Sequence, residues 1–128
     1  MPMAKNIAAA RIRLKRAYER PHDDDGTRIL VDRLWPRGVK KEDAAIERRE
    51  KDLSPSTELR KWFGHDPARW REFRRRFAAE LRQHPDQLKR LRALARMAPI
   101  TLVYAAHDEA HNNAVVLRGV LLGRSPPG

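Results

Sequence analysis

Two unbroken apolar runs, set far apart in the chain, restrict what it can fold into more than any other feature. The first lies in Thr27 to Leu34 and carries Ile29, Leu30 and Val31 in succession; the second, Ile100 to Ala105, reads ITLVYA. A strand with one face in water alternates apolar and polar residues. A run without that alternation is covered on both faces, as the strands of a parallel sheet are. Parallel neighbours need long crossover connections, and the interval supplies helical patterns for them. From Pro67 to about Gln83 the residues Trp70, Phe73, Phe77 and Leu81 form one apolar stripe. After Pro85, a second stripe of Leu88, Leu91, Leu94, Ala95 and Ala98 runs until Pro99 ends it.

The flanking segments complete the pattern. RIRLKRAY at 11–18 alternates basic and apolar residues, which predicts a half-exposed strand, and PHDDDG at 21–26 is a turn. Residues 39–52 are charged and read as helix, with Ala44, Ala45 and Ile46 its only apolar group. Ser54-Pro55-Ser56 breaks the chain, and Ser56 or Thr57 can cap a short helix through Phe63 that Gly64 closes. His111 to about Leu122 reads as a last helix, apolar over most of its circumference. The expected fold is α/β: a single small domain at 11–122 with a short, mostly parallel sheet flanked by helices, between tails at 1–10 and 123–128. A chain of 128 residues is long enough for a real core.

Composition narrows the function classes. With no cysteine there is no disulfide framework, no thiolate nucleophile and no cysteine-held metal. No run approaches the roughly 18 apolar residues of a membrane span, and the start lacks the apolar core of a secretory signal; a cytoplasmic protein without membrane contact is expected. The net charge is +11, from 21 Arg and 7 Lys against 17 acids. Residues 67–98 alone hold ten of the bases and three of the acids, so two helices could offer phosphates a basic face. Yet Trp70, Phe73 and Phe77 belong to the apolar stripe and do not interleave with the charges as stacking platforms would.

Open parallel sheets bind ligands beyond the carboxyl ends of their strands. Here the first apolar run ends in Asp32, Arg33, Trp35, Arg37 and Gly38, and the second in Tyr104, His107 and Asp108, with Asn112 opening the last helix. If the strands are neighbours, these groups converge. Arginine forks suit a carboxylate or phosphate, Gly38 permits positive φ or close approach to a ligand, and Asn112 offers a donor or a helix cap. Arg60 and His65 could face the same cleft from the segment 54–67. The acid–base candidates are His65, His107 and Asp108. The His107/His111 spacing would gather a metal only on an unbroken helix, and a turn is predicted there, so no metal and no cofactor are expected.

At these residues the chain resembles a known family. DGTRILVDRLWPRG at 25–38, SPSTELRKWFGHDP at 54–67 and TLVYAAHDEAHNNAVVLRGVL at 101–121 are similar to the YeaO-like family, a bacterial and archaeal group of unknown function. The resemblance spans 11 to 122 and implies one cytoplasmic α/β domain. It marks Asp32, Arg33, Trp35, Pro36, Arg37, Gly38, Arg60, Trp62, Phe63, Gly64, His65, Tyr104 and Asn112 as characteristic positions without saying what they do. One departure stands out: Arg49 lies in a segment where relatives usually carry tryptophan. Three functional readings follow. The first is binding of, or action on, a small anionic ligand such as a nucleotide or phosphoester at the strand ends. The others are a basic nucleic-acid-binding accessory protein and a protein-interaction module without chemistry. The exposed edges of a short sheet would suit a homodimer.

Overall fold

A computed structural model describes residues 7–124; of the expected tails, 1–6 and 125–128 lie outside the described residues, whereas Ile7 packs against the core and Ala9–Arg11 form a 3-10 turn leading into the first strand. Four strands, β1 (Ile12–Arg16), β2 (Thr27–Leu30), β3 (Arg48–Arg49) and β4 (Ile100–Tyr104), form one sheet in the order β1-β4-β2-β3. Every pairing is parallel, with Ile12 and Thr27 both opposite Ile100, and Ile29 opposite Leu102. The two apolar runs are therefore neighbours, and β4 lies in the interior of the sheet.

Alternation along the strands sends side chains into two unequal layers. Ile12, Ile29, Val31, Ile100, Leu102 and Tyr104 join the larger core with Phe63, Phe73, Phe77, Leu81, Leu91 and Leu117. These come from α2 (Thr57–Phe63), α3 (Trp70–Leu81), α4 (Pro85–Met97) and α5 (Asn113–Leu121). On the opposite face the buried apolar cluster is smaller, Ala17, Leu30 and Val103 covered by Trp35, Val39 and Ile46. The caps are those the residue types favour. Ser56 accepts from Leu59 N–H at the start of α2, Asp66 from Ala68 N–H, and Pro85 stands in the first turn of α4.

The helix predicted over 39–52 is the main correction. The one α-helical piece of that segment is α1 (Lys41–Ala44), which Ala45, at φ 52°, ends, with a single 3-10 turn further on at Lys51–Leu53. The chain then pairs with the open edge of β2: Glu47 N–H donates to Arg28 and Glu50 N–H to Leu30. A charged segment with three apolar residues has no stripe to bury as a helix, whereas the edge of β2 offers backbone partners that would otherwise go unmet. Arg49, in β3, lays its guanidinium 5.5 Å from the Trp35 ring.

Arginine is used throughout to close carbonyls at element ends. Arg92 donates to Val120 and Leu121 at the end of α5, and Arg11 to Ala95 and Arg96 at the end of α4. Arg118 reaches Ile12 and Ala9, and Arg16 holds Ala105 and Ala106. Among the described residues, no helix is long and apolar enough to cross a membrane.

Candidate functional site

The ladder between β2 and β4 ends in a way that builds a floor. Val31 N–H still donates to Val103 (3.1 Å), but Val31 carbonyl accepts from the Asn113 side-chain amide (3.1 Å). Ala105 N–H, which would next continue a parallel ladder, donates instead to Asp32 Oδ2 (2.9 Å). Asn113 Nδ2 also donates to Asp32 Oδ1 (3.1 Å). Two side chains thus replace backbone partners where the strands diverge, and the opening between them is a cleft of about 730 Å³.

Asp32, Arg33, Trp35, Arg37, Arg60, His65, His107, Asp108 and Asn112 line this cleft, so three sequence segments converge on it. Tyr104 and Gly38 are not part of its wall. Tyr104 is buried beneath, packed in the core and hydrogen-bonded to Asn112; burial first, then Glu109 and Glu19, push its phenol above the usual range. Gly38 turns the chain at φ 80° with open space where a Cβ would stand, so the backbone requires it and no close neighbour does.

The groups differ in what they have left to offer. Asn112 is 2 % exposed and already committed: Oδ1 caps Val115 N–H (3.1 Å) and Nδ2 donates to the Asp108 carbonyl (2.9 Å). Asp108 accepts from Ala110 and His111 N–H and from the His111 ring (2.9 Å), with the ring bond the largest cause holding its carboxyl below the usual range. Trp35 Nε1–H donates to the Val39 carbonyl (2.6 Å) and closes the 35–39 turn. These three are framework as well as wall. The guanidiniums of Arg33, Arg37 and Arg60, by contrast, make no hydrogen bond or ion pair among the described residues, and all three residues are exposed.

Asp32 is desolvated and His65 carries backbone strain. Burial is the largest influence on Asp32 and raises its carboxyl above the ordinary value, despite Ala105 N–H, the Asn113 amide and the charge of His65. His65 is a non-glycine residue at φ 58°, directly after Gly64 at φ 53°. A left-handed conformation costs such a residue about 1–2 kcal/mol, and it brings the ring over the cleft beside Phe63. His107 is exposed in the wall. Among the described residues, no group of three or more potential ligands could hold a metal ion.

Two contributors escaped the sequence reading. Asn113 sits one position past the cap and was masked by Asn112. Tyr18, in the wall, donates from its hydroxyl to the Arg37 carbonyl (3.0 Å) and lies 4.9 Å from the Arg16 guanidinium. The place of β1 beside β4 makes Tyr18 a site residue, and no local signal gives that place.

The basic helices are less free than their charge suggests. Arg75 and Arg76 pair with Glu72, Arg69 with Asp66 and the Trp62 carbonyl, and Arg76 also lies 4.5 Å from the Trp62 ring. Comparison with known proteins adds relationships and no activity. A family model described as the inactive DUF488-N3 subclade matches residues 11–125. The uncharacterised protein YeaO of Escherichia coli K12 is 47 % identical over 106 residues, covering 83 % of this chain and 92 % of that one. The uncharacterised proteins Mb3100c of Mycobacterium bovis and Rv3073c of Mycobacterium tuberculosis H37Rv are each 41 % identical over 118 residues, covering 92 % of this chain and 99 % of theirs. No solved structure matches. The conserved extent of these matches, together with the family model, shows that the chain belongs to the YeaO-like family, within the inactive DUF488-N3 subclade.

Proposed function

We propose that the protein binds a small anionic ligand, a phosphoester or nucleotide, in the cleft at the carboxyl ends of β2 and β4. One observation carries this reading: Arg33, Arg37 and Arg60 line a single cleft, and their guanidiniums have no partner among the described residues. Many other arginines of this chain are given carbonyls, carboxylates or rings, among them Arg11, Arg16, Arg28, Arg69, Arg76, Arg92 and Arg118. Like charges around one opening repel each other, and an anion relieves that repulsion while gaining charge-assisted hydrogen bonds. The cleft volume lies within the roughly 300–1,000 Å³ usual for small-molecule sites. The description of the subclade as inactive favours binding without turnover, and a cytoplasmic setting would supply phosphorylated metabolites.

Calorimetric titration with adenosine monophosphate and ribose 5-phosphate tests this. Arg37→Ala should weaken binding about 10- to 150-fold, the equivalent of roughly 1.5–3 kcal/mol for a hydrogen bond to a charged group. It should leave the melting temperature unchanged, because the guanidinium holds nothing in the fold. Absence of binding, or equal affinity in the variant, refutes the reading. The exposed Arg71, Lys89 and Arg90 on α3 and α4, with Arg82 just past the end of α3, favour a second reading. Oligonucleotide binding that falls steeply with salt and ignores Arg37 would support that one.

A further inference from the structure

The cleft separates donors from acceptors, and that separation bears on the class of ligand. Its rim carries Arg33, Arg37 and Arg60, which can only donate. Its floor carries Asp32 and Asn113. Each Asp32 oxygen takes one hydrogen bond, Oδ2 from Ala105 N–H and Oδ1 from Asn113 Nδ2. A carboxylate has about four acceptor positions, so roughly half of its capacity is unused. The orientation of Asn113 follows from its partners: the nitrogen faces the Val31 carbonyl and the Asp32 carboxylate, both acceptors. Its Oδ1 accepts nothing among the described residues. The floor therefore presents acceptors alone. A bare phosphate reaching it would meet a carboxylate and a carbonyl with nothing to donate, whereas a hydroxyl or amine would satisfy both. Phe63, Phe73 and Ala105 add an apolar lining that suits a short carbon skeleton.

Resting on the anion-binding reading, we infer that the ligand is a phosphoester whose carbon skeleton carries hydroxyl or amino donors, the phosphate on the rim arginines and the donors on Asp32 and Asn113. Asp32 is then the residue that decides specificity. It discriminates against anions that lack a donor, because those leave a desolvated carboxylate facing their own charge.

The test is a calorimetric panel on the full chain with inorganic phosphate, ethyl phosphate, phosphoethanolamine and ribose 5-phosphate. The wild type should bind ribose 5-phosphate or phosphoethanolamine about tenfold or more tightly than ethyl phosphate, as one hydrogen bond to a charged acceptor gives. Whichever of the two binds tighter identifies hydroxyl or amine as the donor. Asp32→Asn should bring that ratio to within about threefold, since the negative charge that favours donors and repels the phosphate is removed. The wild-type panel decides the matter even if the variant folds poorly. Ethyl phosphate bound as tightly as both ribose 5-phosphate and phosphoethanolamine, or a ratio unchanged in a folded Asp32→Asn, overturns the inference and leaves anion binding standing. No binding of any phosphoester overturns both.

Discussion

Replacing Asp25 by alanine should be among the most damaging single changes in this protein, although it lies far from the proposed ligand. Asp25 is buried on the sparsely covered face of the sheet. Its carboxylate accepts from Arg28 Nη1 (2.8 Å), Lys15 Nζ (3.2 Å to each oxygen) and His22 N–H (3.0 Å). Lys15 is partly exposed and can turn to water, but Arg28 is 3 % exposed. Without Asp25, Arg28 keeps only the Ala44 carbonyl (3.0 Å), and its Nη2 is already unpartnered. Stranding a buried charge in this way costs about 3–5 kcal/mol. With an unfolding entropy near roughly 2.1 cal/mol/K per residue, the loss is roughly 11–19 °C in melting temperature. Lys15→Met should cost about 1 kcal/mol or less, because a partly exposed pair is screened. The pH dependence has a definite sign. Burial pushes the Asp25 carboxyl up, but His22 N–H, Lys15 and Arg28 together hold it below its ordinary 3.8. The stabilisation is therefore complete above pH 3.8 and is lost as pH falls through the lower folded value. Calorimetric scans of wild type and Asp25→Ala should show a gap that is constant near neutrality and closes in acid. A neutral-pH loss below about 3 °C, or a gap that widens in acid, would refute the account of Arg28 as a stranded charge.

Two glycines make a paired prediction. Gly26→Ala would put a Cβ 2.0 Å from the Pro99 carbonyl oxygen at φ 64°, so the variant should fail to accumulate as folded protein. Gly38→Ala meets open space at φ 80° and should lose only about 1–2 kcal/mol, read by urea unfolding. Ser56→Ala removes both the cap of α2 and a hydroxyl that donates to Glu80 Oε2 (2.6 Å); about 1–3 kcal/mol should be lost, and Glu80→Gln should lose less.

The parts of the fold that were legible in the sequence are those where burial alone sets the pattern. The ILV and ITLVYA runs needed cover on both faces and received it, and the stripes of α3 and α4 needed one core and share it. β3 was illegible because an edge strand of two charged residues has no apolar signature; its reason to exist is the unpaired edge of β2. At the cleft, residue type gave most of the polar lining, but not which groups the fold would use for itself. Asn112 and Asn113 are chemically identical neighbours. One closes the end of α5, and the other takes the place of a ladder amide against Asp32. Only the angle at which α5 meets the ends of β2 and β4 separates their tasks, and that angle is set by tertiary packing.

The two aspartates of the sheet show why its carboxyl end reads as a site and its other charged cluster does not. Asp25 faces two cations and an amide, its carboxyl is held below the ordinary value, and the cluster strengthens the fold as it stands. Asp32 has neutral hydrogen-bond donors, its carboxyl is raised by burial, and it shares a cleft with three arginines that do not pair with it. For folding alone, a guanidinium placed on Asp32 would relieve both the desolvated carboxylate and the mutual repulsion of the arginines. The strained His65 backbone beside them adds to the cost. Charges of both signs kept apart in one opening lower the stability of the empty protein. On the anion-binding reading proposed above, they would raise the affinity for a molecule that brings an anion to the rim and a donor to the floor.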